Sequence, residues 1–229
     1  TSVDVVFDNT GTVNVNEGTL ILGGGGTSTG GTFNVADGAT LQLGGTHTLT
    51  DTQSGTGTGR MIVTSGTTTA NGTMDFAGTL GVSFGELQLN GTATAGGWEQ
   101  TGGTRSGTGG LTVSGPSSWT AGALDGAGTT TLNGTLEAST SATKTLSGGH
   151  TLDLNGTTTW TSGYFSLGDG STINNVGTFE DVQGGGWGFL PSTGGGTFVN
   201  TGTYNRSGGL STSVDVVFDN TGTVNVNEG

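Results

Sequence analysis

The chain has 229 residues, of which 51 are glycine, two are proline and none is cysteine; only 29% are hydrophobic, and 17 acids stand against four bases for a net charge of −13. Glycine costs about 1 kcal/mol in a helix interior and threonine is stiff at χ1, so this composition excludes a helical globule and favours many short strands joined by tight turns. So few bases exclude a positive surface for nucleic acid or anionic lipid, and no apolar run is long enough to form a membrane-spanning helix.

From the N terminus, Thr1 to Gly18 form a segment that returns unchanged as Thr212 to Gly229, a period of 211 residues. So faithful a copy reads as the register mark of a long tandem array, with residues 1–211 as one repeat unit and 212–229 as the start of the next identical one. Apart from the acids of the second copy, Asp215, Asp219 and Glu228, one unit holds 14 acids against four bases. An array is then a soluble polyanion that resists clumping.

A shorter step runs through the whole chain. Val13-Asn14-Val15-Asn16-Glu17-Gly18-Thr19 and Phe33-Asn34-Val35-Ala36-Asp37-Gly38-Ala39 lie 20 apart, apolar on apolar and glycine on glycine. Between them, Gly23 to Gly31 reads as a glycine-rich loop. Thr40-Leu41-Gln42-Leu43 alternates as a strand does, and a bulged loop is expected within residues 45–60. His47 and His150 share a His-Thr-Leu setting 103 apart, close to five steps. Leu-Asn-Gly-Thr recurs at 89–92, 132–135 and 154–157, while Trp119 follows Trp98 by one such step and Trp160 follows Trp119 by two. Gly184 to Pro191, around Trp187, falls outside the rhythm and reads as a protruding loop. Phe198 to Tyr204 matches Phe218 to Val224 at 20 again.

A step near 20 with every second residue apolar is what one coil of a β-solenoid needs. Each coil supplies two or three short strands that pair in parallel with those above and below, with glycine accepting positive φ at the corners. The regular spacing of Val, Leu, Ile, Phe and Trp argues against a disordered chain. The expected fold is therefore all-β, a right-handed parallel β-helix of roughly ten coils per repeat and roughly 50 Å of axis. The 211-residue period is read as nearly a whole number of coils, so that copies stack as one rod. Asn9, Asn200 and Asn220, at equivalent corners, are candidates for a side-chain ladder.

The Φ-x-Asn-Thr-Gly-Thr-Φ runs at 7–13, 198–204 and 218–224, the related Ile173 to Phe179, and the Leu-Asn-Gly-Thr and Trp-Thr-Ala/Ser-Gly runs carry a family likeness. In rhythm and composition nearly the whole chain resembles the parallel β-helix stalks of giant bacterial surface and secreted proteins, such as filamentous haemagglutinin and autotransporter passenger domains. That resemblance implies an extracellular shaft serving as a filament, stalk or adhesin; the long closed period favours the fibre.

Several residues invite sharper readings. Trp98, Trp119 and Trp160 could present an outward aromatic ladder to polysaccharide, although filling a narrow core is the favoured role for such large side chains. Trp187 is the candidate for lateral contact between rods. Glu17 and Asp37, one coil apart, are a weak calcium pair, since calcium takes six to eight oxygens and no repeated Gly-Gly-x-Gly-x-Asp signature accompanies them. Thr-x-Thr triplets such as Thr10/Thr12 and Thr157/Thr159 are read as outward strand residues. Asn71, Asn90, Asn133, Asn155 and Asn205 match the N-glycosylation pattern, which at Asn-Gly also reads as plain turn chemistry.

For catalysis, Glu180-Asp181 is the one adjacent acidic pair, and neighbours on a strand point to opposite faces. Arg60, Arg105, Lys144 and Arg206 are scattered, and neither histidine has a nucleophile at a recognisable spacing. The sequence thus points to a non-enzymatic structural protein without cofactor, a repeat of an extracellular bacterial filament or surface fibre. Its partners are further copies end to end, in covalent tandem or as a polymer, with possible lateral bundling, and neither nucleic acid nor membrane insertion is expected. The alternative is the stalk of a cell-surface adhesin that binds glycans.

Overall fold

The computed structural model describes all of residues 1–229 and is built of 31 strands, every pairing parallel and no helix present. The chain winds as a β-solenoid of about 11 coils of about 20 residues. Each coil has three sides. Thr12–Val15 opens the first face, Thr19–Leu22 the second and Gly26–Thr29 the third; the next coil lays Thr32–Val35, Thr40–Leu43 and His47–Thr50 on them in turn. Two strands, Met74–Val82 and Ala93–Gln100, run from first to second face without a break, which fuses those faces into one 21-stranded sheet; the third face is a separate sheet of ten.

Alternation builds the interior. In Thr32–Val35, Thr40–Leu43 and Thr151–Leu154 the second and fourth side chains are buried and the others half-buried. The outward column of the first face runs Thr12, Thr32, Ser54, Asp75, Thr94, Thr112, Thr131, Asp153, Asn174, Val199 and Asp219. Its mostly small, hydrogen-bonding members tie coil to coil: Thr94 Oγ1 donates to Asp75 Oδ1 at 2.6 Å and Asn174 Nδ2 to Asp153 Oδ1 at 2.8 Å. Inside, the first coils are filled mainly by Leu, Val and Met together with Phe33 and Phe76, the last by a run of aromatics. There Phe165 lies under Phe189, Phe179 under Tyr204 and Phe198 under Phe218, with ring centroids 5.4, 5.4 and 5.3 Å apart and interplanar angles of 13°, 7° and 2°. Those spacings follow from strand separation, which places equivalent side chains of successive coils about 4.8 Å apart.

The structure corrects the expected register at several points. The glycine-rich stretch Gly23 to Gly31 is not a loop, because Gly26–Thr29 is a full strand of the third face. Residues 45–60 carry the strands His47–Thr50 and Gln53–Gly55, and the expected bulge follows them, since residues 56–59 stand opposite only Ala77 and Gly78 of the next coil. Trp98 pairs with Ser117, and it is Gln100 that pairs with Trp119; Trp119, Ala138 and Trp160 do share one column, as their two-step spacing implies.

The largest correction concerns the repeat itself. In the first copy Asn9 bridges Ser28 on the third face and Thr12–Val15 lies on the first. In the second copy the corresponding Val217–Asn220 lies on the first face and Thr223–Val226 on the second. From Thr12 to Thr223 the chain therefore makes ten coils and one further face, so the long period is not a whole number of coils. Leu-Asn-Gly-Thr moves in the same way. At Leu89 it turns the chain from third to first face, at Leu132 and Leu154 from first to second. The two histidines also differ by a face: His47 opens a third-face strand and His150 immediately precedes a first-face one.

Candidate functional site at the ends of the stack

Chemistry-bearing side chains collect in two places, inside the corners and within the C-terminal coils. The inner edge of the second face is one column: Leu22, Leu43, Val63, Val82, Gln100, Trp119, Ala138, Trp160, Asp181, Arg206 and Val226. Beyond it the chain turns the corner to the third face, where inward carbonyls have no strand partner. Buried carbonyls must be satisfied, and this column supplies donors. Gln100 Nε2 donates to Ala123 O at 2.9 Å, Trp119 Nε1 to Ala121 O at 3.1 Å and Trp160 Nε1 to Gly163 O at 2.8 Å. Where the column holds only Ala138, Lys144 enters from the third face and gives Nζ to Thr140 O, Ala142 O and Ser162 O at 2.9, 3.1 and 2.8 Å. Burial lowers its pKa to about 8.

At the next corner, from third to first face, Arg105 Nη2 donates to Gly109 O at 2.6 Å and Nη1 lies 3.3 Å from His150 Nδ1. His150 Nε2 is 3.1 Å from Thr130 Oγ1, and its Nδ1 is 3.2 Å from Gly126 O. Burial, and secondarily the positive charge of Arg105, push the imidazole down to about 4, so the ring is neutral near pH 7. Three of the four bases, Arg105, Lys144 and Arg206, are thus structural clamps inside the stack. In the sequence they read only as scattered charges. Their one legible signal is placement within alternating strands, at inward positions that leucine or valine occupies in other coils. Arg60 alone stays outside, paired with Glu99.

The residues singled out in sequence fall as follows. Trp98, Trp119 and Trp160 are buried, so no outward indole ladder exists there; their rings fill the core, Trp160 packing on Phe165 and Phe189 at 5.3 and 5.1 Å. Trp187 is half-buried and folds back onto Tyr164 with centroids 4.9 Å apart, while Gly188–Pro191 forms a third-face strand, so the excursion is confined to a corner in which residues 182–188 stand opposite the shorter 161–164. Glu17 and Asp37 are exposed at equivalent corners, beside Gly18 and Gly38 with φ of 67° and 74°, and no third acid or histidine joins them. Glu180 and Asp181 point to opposite sides: Glu180 accepts from Asn205 outside, Asp181 from Tyr204 inside. The asparagine ladder forms as Asn175, Asn200 and Asn220, each step 2.7 Å; Asn9 is not part of it, because one face away it meets Ser28 instead.

A further polar cluster lies inside the C-terminal coils. Tyr204 and Thr212 donate to Asp181 Oδ2 at 2.7 and 2.5 Å, and Arg206 Nη1 lies 3.5 Å from Asp181 Oδ1. Burial foremost, then the neighbouring Asp181 carboxylate, raise the Tyr204 pKa. Above this cluster lies a recess of about 540 Å³ lined by Tyr204, Arg206, Ser211, Thr212, Val214, Phe218, Val224, Val226 and Gly229. Buried Arg206 keeps Nε and Nη2 without hydrogen-bond partners. The strands Ser213–Val214, Val217–Asn220 and Thr223–Val226 are laid on the third, first and second faces in turn. No protein-family model, curated protein or solved structure matches this chain.

Proposed function

We propose that this chain is a structural element of an extracellular fibre, in which 211-residue units stack end to end as one β-solenoid rod. The observation that carries the reading is the repeated segment. Residues 212–229 are identical to residues 1–18, which carry a further coil on all three faces. Open edges that continue without closing give filaments, and a solenoid gains stability coil by coil through contact with the next. The extracellular setting comes from the resemblance of the corner motifs to the stalks of bacterial surface proteins. The buried clamps and aromatics have the chemistry of a scaffold, and a non-enzymatic role accords with them. Electron microscopy of the native material tests this: thin continuous rods with an axial repeat of about 50 Å, from layers of about 4.8 Å, are expected. Isolated short particles at all concentrations would overturn it in favour of a stalk that carries its function elsewhere.

A further inference from the structure

We infer that Asn71 and Asn133 are sites of self-modification, at which exposed corners of the folded chain lose ammonia and gain a carboxylate, well ahead of Asn90 and Asn155. The chain contains four Asn-Gly pairs, each followed by threonine and preceded by Leu or Ala. Reactivity set by local sequence is therefore closely alike at all four, and a difference among them comes from the stack. They form two stacked pairs, Asn71 under Asn90 between third and first faces and Asn133 under Asn155 between first and second. All four asparagines are exposed to water.

The reaction needs a free backbone nucleophile. The amide nitrogen of the following glycine attacks the asparagine Cγ and forms a cyclic imide; the Cγ–Nδ2 bond breaks, the glycine N–H proton goes to that nitrogen, and ammonia departs. Water then opens the imide to aspartate or, through the other carbonyl, to isoaspartate. In several coils the corner glycine N–H is tied to the coil before: Gly177, Gly202 and Gly222 donate to Leu154 O, Asn175 O and Asn200 O at 3.0 Å, and Gly91 to Ala70 O at 3.3 Å. Gly72, Gly134 and Gly156 make no such bond. Of their three asparagines, only Asn71 and Asn133 carry a donor on the carbonyl under attack, Asn90 Nδ2 to Asn71 Oδ1 at 2.9 Å and Asn155 Nδ2 to Asn133 Oδ1 at 2.8 Å. A donor held there stabilises the negative charge that the oxygen takes up as the nitrogen adds. Asn155 lacks that donor, and its own Nδ2, which must leave, is held in the ladder; Asn90 shares both features and has its nucleophile bound as well. An aspartate at 71 or 133 keeps its neighbour, since an amide N–H bonds a carboxylate more strongly than an amide oxygen. Isoaspartate lengthens a main chain that has no slack, because a Cβ on Gly72 or Gly134 would meet Asp51 O at 1.9 Å or Gly115 O at 2.2 Å.

Peptide mapping by mass spectrometry of the full chain, aged in mildly alkaline buffer, tests this. The folded chain should convert at Asn71 and Asn133 about fivefold faster, or more, than at Asn90 and Asn155, the worth of one hydrogen bond in the transition state. In urea all four should convert at similar rates, because they share the Asn-Gly-Thr sequence. Asn90→Ala should slow Asn71 by about fivefold and leave Asn133 unchanged, and Asn155→Ala should do the reverse, so that each untouched site reports that the fold is intact. Similar rates at all four sites of the folded chain, conversion in urea alone, or an Asn71 rate unmoved by Asn90→Ala would each overturn the assignment.

Discussion

His150 offers a sharp test of the buried corner clamps. The imidazole is fully buried between Thr130 Oγ1, Gly126 O and the Arg105 guanidinium, and burial with that charge lowers its pKa from 6.5 to about 4. As pH falls below 6.5 the unfolded chain takes up a proton at this site and the folded chain does not, so stability is lost with acid until the folded ring also titrates near 4. At about 1.36 kcal/mol per pH unit, that interval corresponds to about 3 kcal/mol, lost between about pH 6.5 and 4. Other groups titrate in acid too, so the comparison is with His150→Gln, which keeps a polar side chain without this proton. Urea unfolding of both chains from mildly alkaline pH down to the folded pKa should show the variant less stable at neutral pH and the gap closing by about 3 kcal/mol as pH falls. A gap independent of pH, or one that widens in acid, would refute the account of a neutral, clamped ring.

Other consequences are direct. Trp160→Ala removes an indole packed on Phe165, Phe179 and Phe189 and the donor to Ser162 O and Gly163 O; chemical denaturation should show a loss of about 4 kcal/mol, and a loss below about 1 kcal/mol would count against the aromatic core. Asn200→Ala breaks the inner ladder to Asn175 and Asn220 and the bond to Thr223 O, with an expected cost of about 2 kcal/mol by the same assay. Asn205→Ala, on the outward ladder between Glu180 and Asn225, should cost about 0.5 kcal/mol. Gly26→Ala, at φ 142° and in close approach to Phe7 O, should loosen the first coil and expose residues 1–18 to limited proteolysis while the rest of the stack stays resistant. Unchanged cleavage there would contradict the tight seat of the second coil.

Much of the fold was legible because a solenoid writes its rhythm directly into sequence. Val13 over Phe33 and Phe198 over Phe218 are register partners, as their 20-residue separation implies. What escaped was the identity of the face. A corner of the Asn-Gly-Thr kind needs a tight turn and an outward asparagine, and it works equally well between third and first faces at Asn71 and Asn90 and between first and second at Asn133 and Asn155. Alignment of such motifs across the middle of the chain, as for Leu89 with Leu132 or His47 with His150, therefore missed by one third of a coil. The identical terminal segments make the point most strongly: one sequence specifies strand, corner and inward pattern, and the neighbouring coil decides which side it occupies. The inward cations were hidden for a related reason. The need for Lys144 arises from Ala138 leaving the corner carbonyls of its coil without a donor, a relation between different strands that spacing within one strand does not display.

The central claim is that one 211-residue unit spans ten and one third coils and that units continue as a single rod. Helical reconstruction of the fibres by electron cryomicroscopy measures both quantities at once. A rise of about 50 Å per unit, from layers of about 4.8 Å, combined with a turn of about one third of a revolution beyond any slow twist of the stack, is the predicted result. Units related by the same rise without that turn, or rods that break at each unit boundary, would contradict it.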